Sequence, residues 1–116
     1  FLRFNKSLYN LRRLYPKNHT SNMTKTPEQL FLELGEEFTQ LTIDTNAKLI
    51  IAVDDEDYES AAKHRDLIKN IIEHTVQMSL MLLDVEETTI RDSFTKQNEI
   101  VYNALLSEYN NDKINN

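Results

Sequence analysis

The chain has 116 residues, with one glycine, two prolines, no cysteine, no tryptophan and a formal net charge of −6. This length corresponds to one domain, and the single glycine argues against an all-β fold and excludes a glycine-rich phosphate loop. Without cysteine there is no disulfide, no thiolate metal site and no thiol nucleophile. Apolar residues make up 40% and charged residues 28%, which favours an all-α fold with a thin core.

Charge is distributed unevenly along the chain. Residues 1–27 contain six basic side chains and no acidic one, so this part carries +6. The remaining residues contain seven basic and nineteen acidic side chains, a balance of −12. This asymmetry indicates an interaction tail or a targeting remnant beside an acidic body. We therefore divide the chain into a basic arm (1–26), a helical body (27–109) and a polar tail (110–116).

The basic arm places apolar side chains at helical spacing between arginines and lysines, which is typical of organelle transit peptides. Because the chain does not begin with Met, we interpret it as a processed product. Its positive charges and aromatic rings are also suited to neutralising phosphates and stacking on unpaired bases. Contact with a protein, or a leftover targeting segment that binds nothing, are the alternatives. The candidate RNA-contact residues are Arg3, Lys6, Tyr9, Arg12, Arg13 and Lys17.

The first helix has a clear predicted start. Thr26, Pro27 and Gln29 form a capping-box pattern with proline at the first helical position. An apolar stripe with spacings of three and four residues then predicts one long helix over about residues 27–54. Gly35 lies within this helix and allows a bend or a close contact there.

Two more helices are predicted after an acidic turn at 54–57. Asp57 can cap a second helix from Tyr58 to near Leu83, and a third helix should run from about Glu86 to Tyr109. Whether these two helices are continuous stays open, and the polar tail is expected to be loose. The sequence holds no run of 18 apolar residues and so predicts no membrane span. The predicted inner face of the second helix is Ala61, Ala62, Arg65, Ile68, Ile72, Val76 and Ser79.

Residues 49–71 read LIIAVDDEDYESAAKHRDLIKNI and closely resemble the UVR motif, a short helical hairpin named after the bacterial excision-repair proteins UvrB and UvrC. The core string EDYE-x-AA-x-x-RD-x-I is rather specific for so short a pattern. The shared positions are Leu49, Ala52, Val53, Glu56, Asp57, Tyr58, Glu59, Ala61, Ala62, Arg65, Asp66, Ile68 and Lys69.

The resemblance implies an antiparallel hairpin that mediates protein–protein contact, including homodimers and pairing of different UVR hairpins. Relatives also occur in adaptors of bacterial and plastid Clp proteases. Small side chains at Ala61 and Ala62 suit a close approach of two helices, and the Arg65 guanidinium can reach an acid of the turn or of a partner. The candidate partner-binding residues are Leu49, Ala52, Val53, Tyr58, Ala61, Ala62, Arg65 and Ile68.

No arrangement of residues predicts catalysis, a cofactor or a metal site. The acidic turn lacks the glycine and distal glutamate that an EF-hand loop requires in one register. His19, His64 and His74 do not follow a ligand spacing, and nothing places a serine, a histidine and an aspartate together. A solvated, capped turn and exposed histidines are the simpler interpretation.

The sequence is therefore interpreted as a non-catalytic, all-α protein in which an antiparallel UVR-like hairpin is extended by a third helix and carries a basic N-terminal arm. Its most concrete function is that of a lineage-specific subunit of a mitochondrial ribosome, located in the matrix. It would bind ribosomal RNA or ribonucleoprotein through the arm and other protein subunits through the hairpin. A plastid location and a homodimer are alternatives, as are an adaptor of a Clp-type unfoldase and a DNA-repair accessory with a UvrB-like partner.

Overall fold

The computed structural model describes residues 25–115, and these residues form three helices. They are α1 (Pro27–Asp54), α2 (Tyr58–Leu82) and α3 (Glu87–Asn115). The all-α prediction and the hairpin extended by a third helix are confirmed. The predicted RNA-contact residues of the basic arm lie outside the described residues.

The order of contacts along the helices defines the topology. Phe38 near the middle of α1 packs in one cluster with Val76, whereas Ala52 near its end packs with Ala61, so α1 and α2 are antiparallel. Phe38 also contacts Phe94, and further along α1 Asn46 contacts Asn98. α3 therefore runs alongside α1 in the same direction, which makes an up-down-up bundle.

The start of α1 is the predicted capping box. The Gln29 backbone N–H donates to Thr26 Oγ1 at 3.1 Å, and the Thr26 N–H donates to Gln29 Oε1 at 2.9 Å. The helix then continues for 28 residues, about 42 Å at 1.5 Å per residue. A Cβ atom at Gly35 would meet nothing within 4 Å, so packing does not require glycine at this position.

The hairpin turn closes through a Schellman motif at the end of α1. The Asp57 N–H donates to the Ala52 carbonyl at 2.8 Å, and the Glu56 N–H donates to the Val53 carbonyl at 3.1 Å. This motif places Glu56 in the left-handed region, with φ of 59°. Asp57 then caps α2 as predicted, because its Oδ1 accepts from the Ser60 N–H at 3.2 Å.

The core consists of three buried clusters placed along the bundle. One lies beside the hairpin turn and contains Leu49, Ala52, Ala61 and Ile68. A second joins α1 to α3 and contains Ala47, Ile50, Val101, Leu105 and Tyr109. The third lies toward the other end and contains Phe38, Val76, Ile90 and Phe94. Each cluster draws residues from at least two helices, so none of the helices buries its apolar face alone.

Both helices of the hairpin also bury small hydroxyl side chains. Thr42 donates to the Phe38 carbonyl at 2.9 Å, and Ser79 donates to the Thr75 carbonyl at 2.8 Å. These bonds to the preceding turn satisfy the hydroxyls within their own helix. Small residues whose polar groups are satisfied internally allow neighbouring helices to approach closely.

The expectation that the chain is loose after Tyr109 was wrong, because α3 continues to Asn115. The Tyr109 hydroxyl donates to Asp54 Oδ2 at 2.7 Å, and Lys113 Nζ donates to Asp54 Oδ1 at 2.7 Å. Asp54 ends α1, where a negative charge opposes the helix dipole. The two donors offset that charge and hold the last turns of α3 against the hairpin.

The sequence left open whether the second and third helices are continuous. α2 ends at Leu82 and α3 begins at Glu87, so they are separate helices. Arg91 in the first turns of α3 forms ion pairs with Glu73 of α2 and with Glu87. These contacts fix the direction in which α3 leaves the connection.

The predicted inner face of α2 was wrong at Ala62 and Arg65, which are exposed. Ala61 has no exposed surface, so it is the alanine that contacts α1. Adjacent residues of a helix differ by about 100° in direction, and only one of the two alanines can face the neighbouring helix. Within the described residues Arg65 forms no ion pair, so the predicted contact to an acid of the turn is absent.

Substitution of each alanine by leucine distinguishes these positions. Ala61→Leu should lower the free energy of unfolding by about 1–3 kcal/mol, because the new side chain has no space between α1 and α2. Ala62→Leu is the matched control and should change it by less than about 0.5 kcal/mol, because the side chain enters solvent. Urea unfolding followed by circular dichroism measures both. Equal losses for the two variants would contradict the packing described.

The contact between Tyr109 and Asp54 predicts a dependence of stability on alkaline pH. Burial, and then the bond to Asp54, raise the pKa of Tyr109 from 10.0 to about 12. Because the folded-state pKa is the higher one, this stabilisation is complete below pH 10 and is lost as the pH rises toward 12. In the Tyr109→Phe variant, the free energy of unfolding should therefore not fall between pH 10 and pH 12 through this group.

The measurement compares thermal unfolding of the natural chain and of Tyr109→Phe at several pH values above 9, with Tyr58→Phe as control. At neutral pH Tyr109→Phe should cost about 1 kcal/mol through the lost hydrogen bond. The control removes an exposed tyrosine hydroxyl and should keep the alkaline loss. A control that behaved like Tyr109→Phe would show that the effect does not come from this contact.

Candidate functional site

The structure divides the predicted partner-binding residues into two groups of four. The buried group packs α1 against α2 and consists of Leu49, Ala52, Ala61 and Ile68. The exposed group consists of Val53, Tyr58, Ala62 and Arg65. Residues of the first group hold the hairpin together and are at most 7% exposed, so the second group provides most of the surface that another molecule can contact. Of this group, we call Val53, Tyr58 and Ala62 the hairpin tip, and Arg65 lies farther from the turn along α2.

The hairpin tip presents apolar surface along one side of α2. Tyr58, Ala62 and Arg65 are spaced by four and three residues, so their side chains share one face of the helix. Tyr58 is 64% exposed, and Val53 at the end of α1 is 40% exposed. An exposed tyrosine offers a large ring together with a hydroxyl, which is a frequent combination at protein interfaces.

The surroundings of the tip are acidic and ionised at neutral pH. A hydrogen bond from Lys113, and then one from Tyr109, lower the pKa of Asp54 below its usual range. Hydrogen bonds from the side chain and the backbone of Ser60 lower the pKa of Asp57. Both carboxylates already have protein donors, and their roles are to anchor α3 and to cap α2.

A groove between the three helices was not predicted from the sequence. It has a volume of about 410 Å³ and is lined by residues of all three helices. Asn46 of α1 lies there, 1% exposed, and its Nδ2 donates to Asn98 Oδ1 of α3 at 2.8 Å. Asn46 lies next to the predicted apolar stripe of α1 and not within it, and its partner 52 positions away could not be identified from the sequence.

The described residues include no group of three or more acidic or histidine side chains that could hold a metal ion. His64 instead donates from Nδ1 to the Ser60 carbonyl at 2.7 Å within α2. Of the three helices described, none is both long and apolar enough to cross a membrane.

The family model of the UvrB/uvrC motif matches residues 39–71. The match begins ten residues before the segment quoted above and includes the second half of α1, the turn and the first half of α2. The predicted UVR motif is thus confirmed, and such motifs are helical hairpins that act as protein-interaction modules. No curated protein and no solved structure matches the chain significantly.

The turn of the hairpin yields a prediction that depends on backbone geometry alone. Glu56 adopts a left-handed conformation that costs a residue other than glycine about 1–2 kcal/mol. Glu56→Gly removes this cost. Glycine also gives the unfolded chain more conformational entropy, which destabilises the folded state by about 0.4–1 kcal/mol. We expect the free energy of unfolding to rise by about 0.5–1 kcal/mol in urea titrations.

Glu59→Gly is the matched control, because it makes the same change three residues later, in the first turn of α2. It should lower the free energy of unfolding by about 1 kcal/mol, since glycine is a poor helix former. Opposite signs for the two variants support the Schellman turn. A loss in both would contradict a left-handed Glu56.

Proposed function

We propose that this chain is a non-catalytic subunit that binds a protein partner through the hairpin tip and an RNA-containing assembly through its basic arm. The observation that carries the first half is the exposed tyrosine Tyr58, which shares a face of α2 with Ala62 on a hairpin matching the UvrB/uvrC motif. The second half is supported by the charge of residues 1–27.

The hairpin tip has the composition of an interface centre. Tyr58 can insert its ring into a pocket of the partner, and burial of such an aromatic anchor contributes much of the binding energy in many interfaces. Ala62 keeps the surface beside the ring flat, which allows the backbone of a partner helix to approach. The exposed acidic side chains Asp55, Glu56 and Asp57 of the turn favour a partner with basic residues around its pocket.

We assign the contact with RNA to the basic arm, because the body is acidic. Its balance of −12 repels phosphate, whereas the six positive charges of residues 1–27 attract it. Our preferred assembly is the mitochondrial ribosome in the matrix, because the arm has the composition of an organelle targeting sequence. The corresponding plastid assembly is the alternative.

Sedimentation of the full chain from a gentle organelle lysate, with and without RNase, tests this proposal. We expect it to co-migrate with ribosomal particles and to lose that migration after RNase treatment. The double substitution Arg12→Glu with Arg13→Glu should release it, because phosphate contacts are lost. Lys63→Glu with Lys96→Glu is the matched control, since it reverses two exposed charges on the body and should leave migration unchanged.

A second pair of variants tests the hairpin tip. Tyr58→Ala should weaken association with the protein partner by about tenfold or more, whereas Tyr58→Phe should retain it because the ring is kept. Both variants should stay folded, since the side chain is exposed. A light peak that is insensitive to RNase, together with dependence on Tyr58, would replace the ribosomal assignment with a protease adaptor. If Tyr58→Ala changes nothing, the tip is not the interface.

A further inference from the structure

The groove between the three helices has a chemistry different from that of the hairpin tip. Leu49 of α1 and Ile68 and Ile72 of α2 provide an apolar floor, and Tyr102 of α3 closes one side. Its walls are polar, with charged and amide side chains from α2 and α3. Because Tyr102 and Asn98 lie beyond residues 39–71, this groove is not a part of the matched motif alone.

The wall formed by α2 carries two positive charges. Arg65 and Lys69 are one helical turn apart, line the groove and are exposed. Neither forms an ion pair in the described part of the chain, in contrast to Lys63, Arg91 and Lys113, each of which lies within 4 Å of a carboxylate. Two neighbouring cations without partners are suited to binding a carboxylate.

An unsatisfied acceptor lies beneath the floor. Asn46 is 1% exposed and donates to Asn98, but no protein group in the described residues donates to Asn46 Oδ1. A buried oxygen without a donor costs free energy, and such groups are uncommon in native proteins. Because Asn46 Oδ1 has almost no accessible surface, this amide pair belongs to the packing of α1 against α3, and the exposed cations carry the recognition.

We propose that the groove binds an acidic peptide segment of a partner protein. An apolar side chain of the segment packs on the floor beside Leu49 and Ile68, and a carboxylate binds Arg65 and Lys69. A volume of about 410 Å³ accommodates two or three side chains of such a segment. RNA fits less well, because the floor is apolar. This site goes beyond the hairpin tip, whose acidic surroundings favour a basic partner surface.

Two designed peptides serve as probes for the full chain. Each has about twelve residues and leucines at helical spacing, and they differ in carrying glutamate or lysine at the other positions. Backbone and side-chain amide NMR spectra follow their titration. The glutamate peptide should shift the amides of Arg65, Ile68 and Tyr102 and the side-chain amide of Asn46. The lysine peptide should leave them unchanged at millimolar concentration.

Charge-reversal variants assign the binding to the groove. Arg65→Glu with Lys69→Glu should weaken binding of the glutamate peptide by about tenfold or more. Lys63→Glu is the matched control, because it makes the same change on the same helix outside the groove, and binding should stay within about twofold.

Three results would overturn the proposal. Equal binding of the glutamate and lysine peptides would show a non-selective apolar surface. The absence of shifts with either peptide would show that the groove takes no such segment. A polyuridine oligonucleotide that shifts the same amides, with binding lost on Arg65→Glu with Lys69→Glu, would assign the positive wall to RNA. None of these results bears on Tyr58, so failure here is distinct from failure of the tip.

Discussion

The close approach of α1 and α2 beside the turn is the constraint on which the remaining structure depends. Ala61 has no exposed surface and packs with Ala52 and Leu49, so the two helices meet where their side chains are small. That approach requires a tight connection, and the Schellman motif supplies it by placing Glu56 in a left-handed conformation. Because Ala61 faces inward, the rotation of α2 is fixed, and Tyr58, Ala62 and Arg65 must face outward. The surface available to a partner is therefore a consequence of the packing.

The acidic turn has a structural explanation that does not involve a metal ion. Asp57 caps α2, and Asp54 accepts hydrogen bonds from Tyr109 and Lys113. These contacts join the end of α1 to the last turns of α3, in a region where the chain is otherwise polar. A carboxylate at the end of a helix would be unfavourable by itself, and the two donors from α3 convert it into an anchor. The same residue thus ends α1 and holds the last turns of α3 against the hairpin.

Local features of the fold could be predicted from the sequence, whereas features that depend on two distant segments could not. The capping box at Thr26, the cap at Asp57 and the bounds of α1 involve residues within four positions of one another, and all were confirmed. The helical extension beyond Tyr109 depends on Asp54, which is 55 residues away, so the polar composition alone suggested a loose tail. Ala61 and Ala62 are identical residues at adjacent positions, and only the rotation of α2 determines which of them is buried. The hydrogen bond of Asn46 likewise depends on Asn98, which is 52 residues away.

The third helix changes what a UVR-type hairpin can offer to a partner. A two-helix hairpin has one interface between its helices, and its outer surfaces are convex. Adding α3 alongside α1 creates a concave groove whose floor belongs to the hairpin and whose far wall carries Asn98, Glu99 and Tyr102. The tip and the groove then differ in charge, because Asp55, Glu56 and Asp57 lie in the turn beside the tip, whereas Arg65 and Lys69 line the groove. Two surfaces of opposite charge on one small body can hold a partner in a single orientation, since a reversed partner would place like charges together.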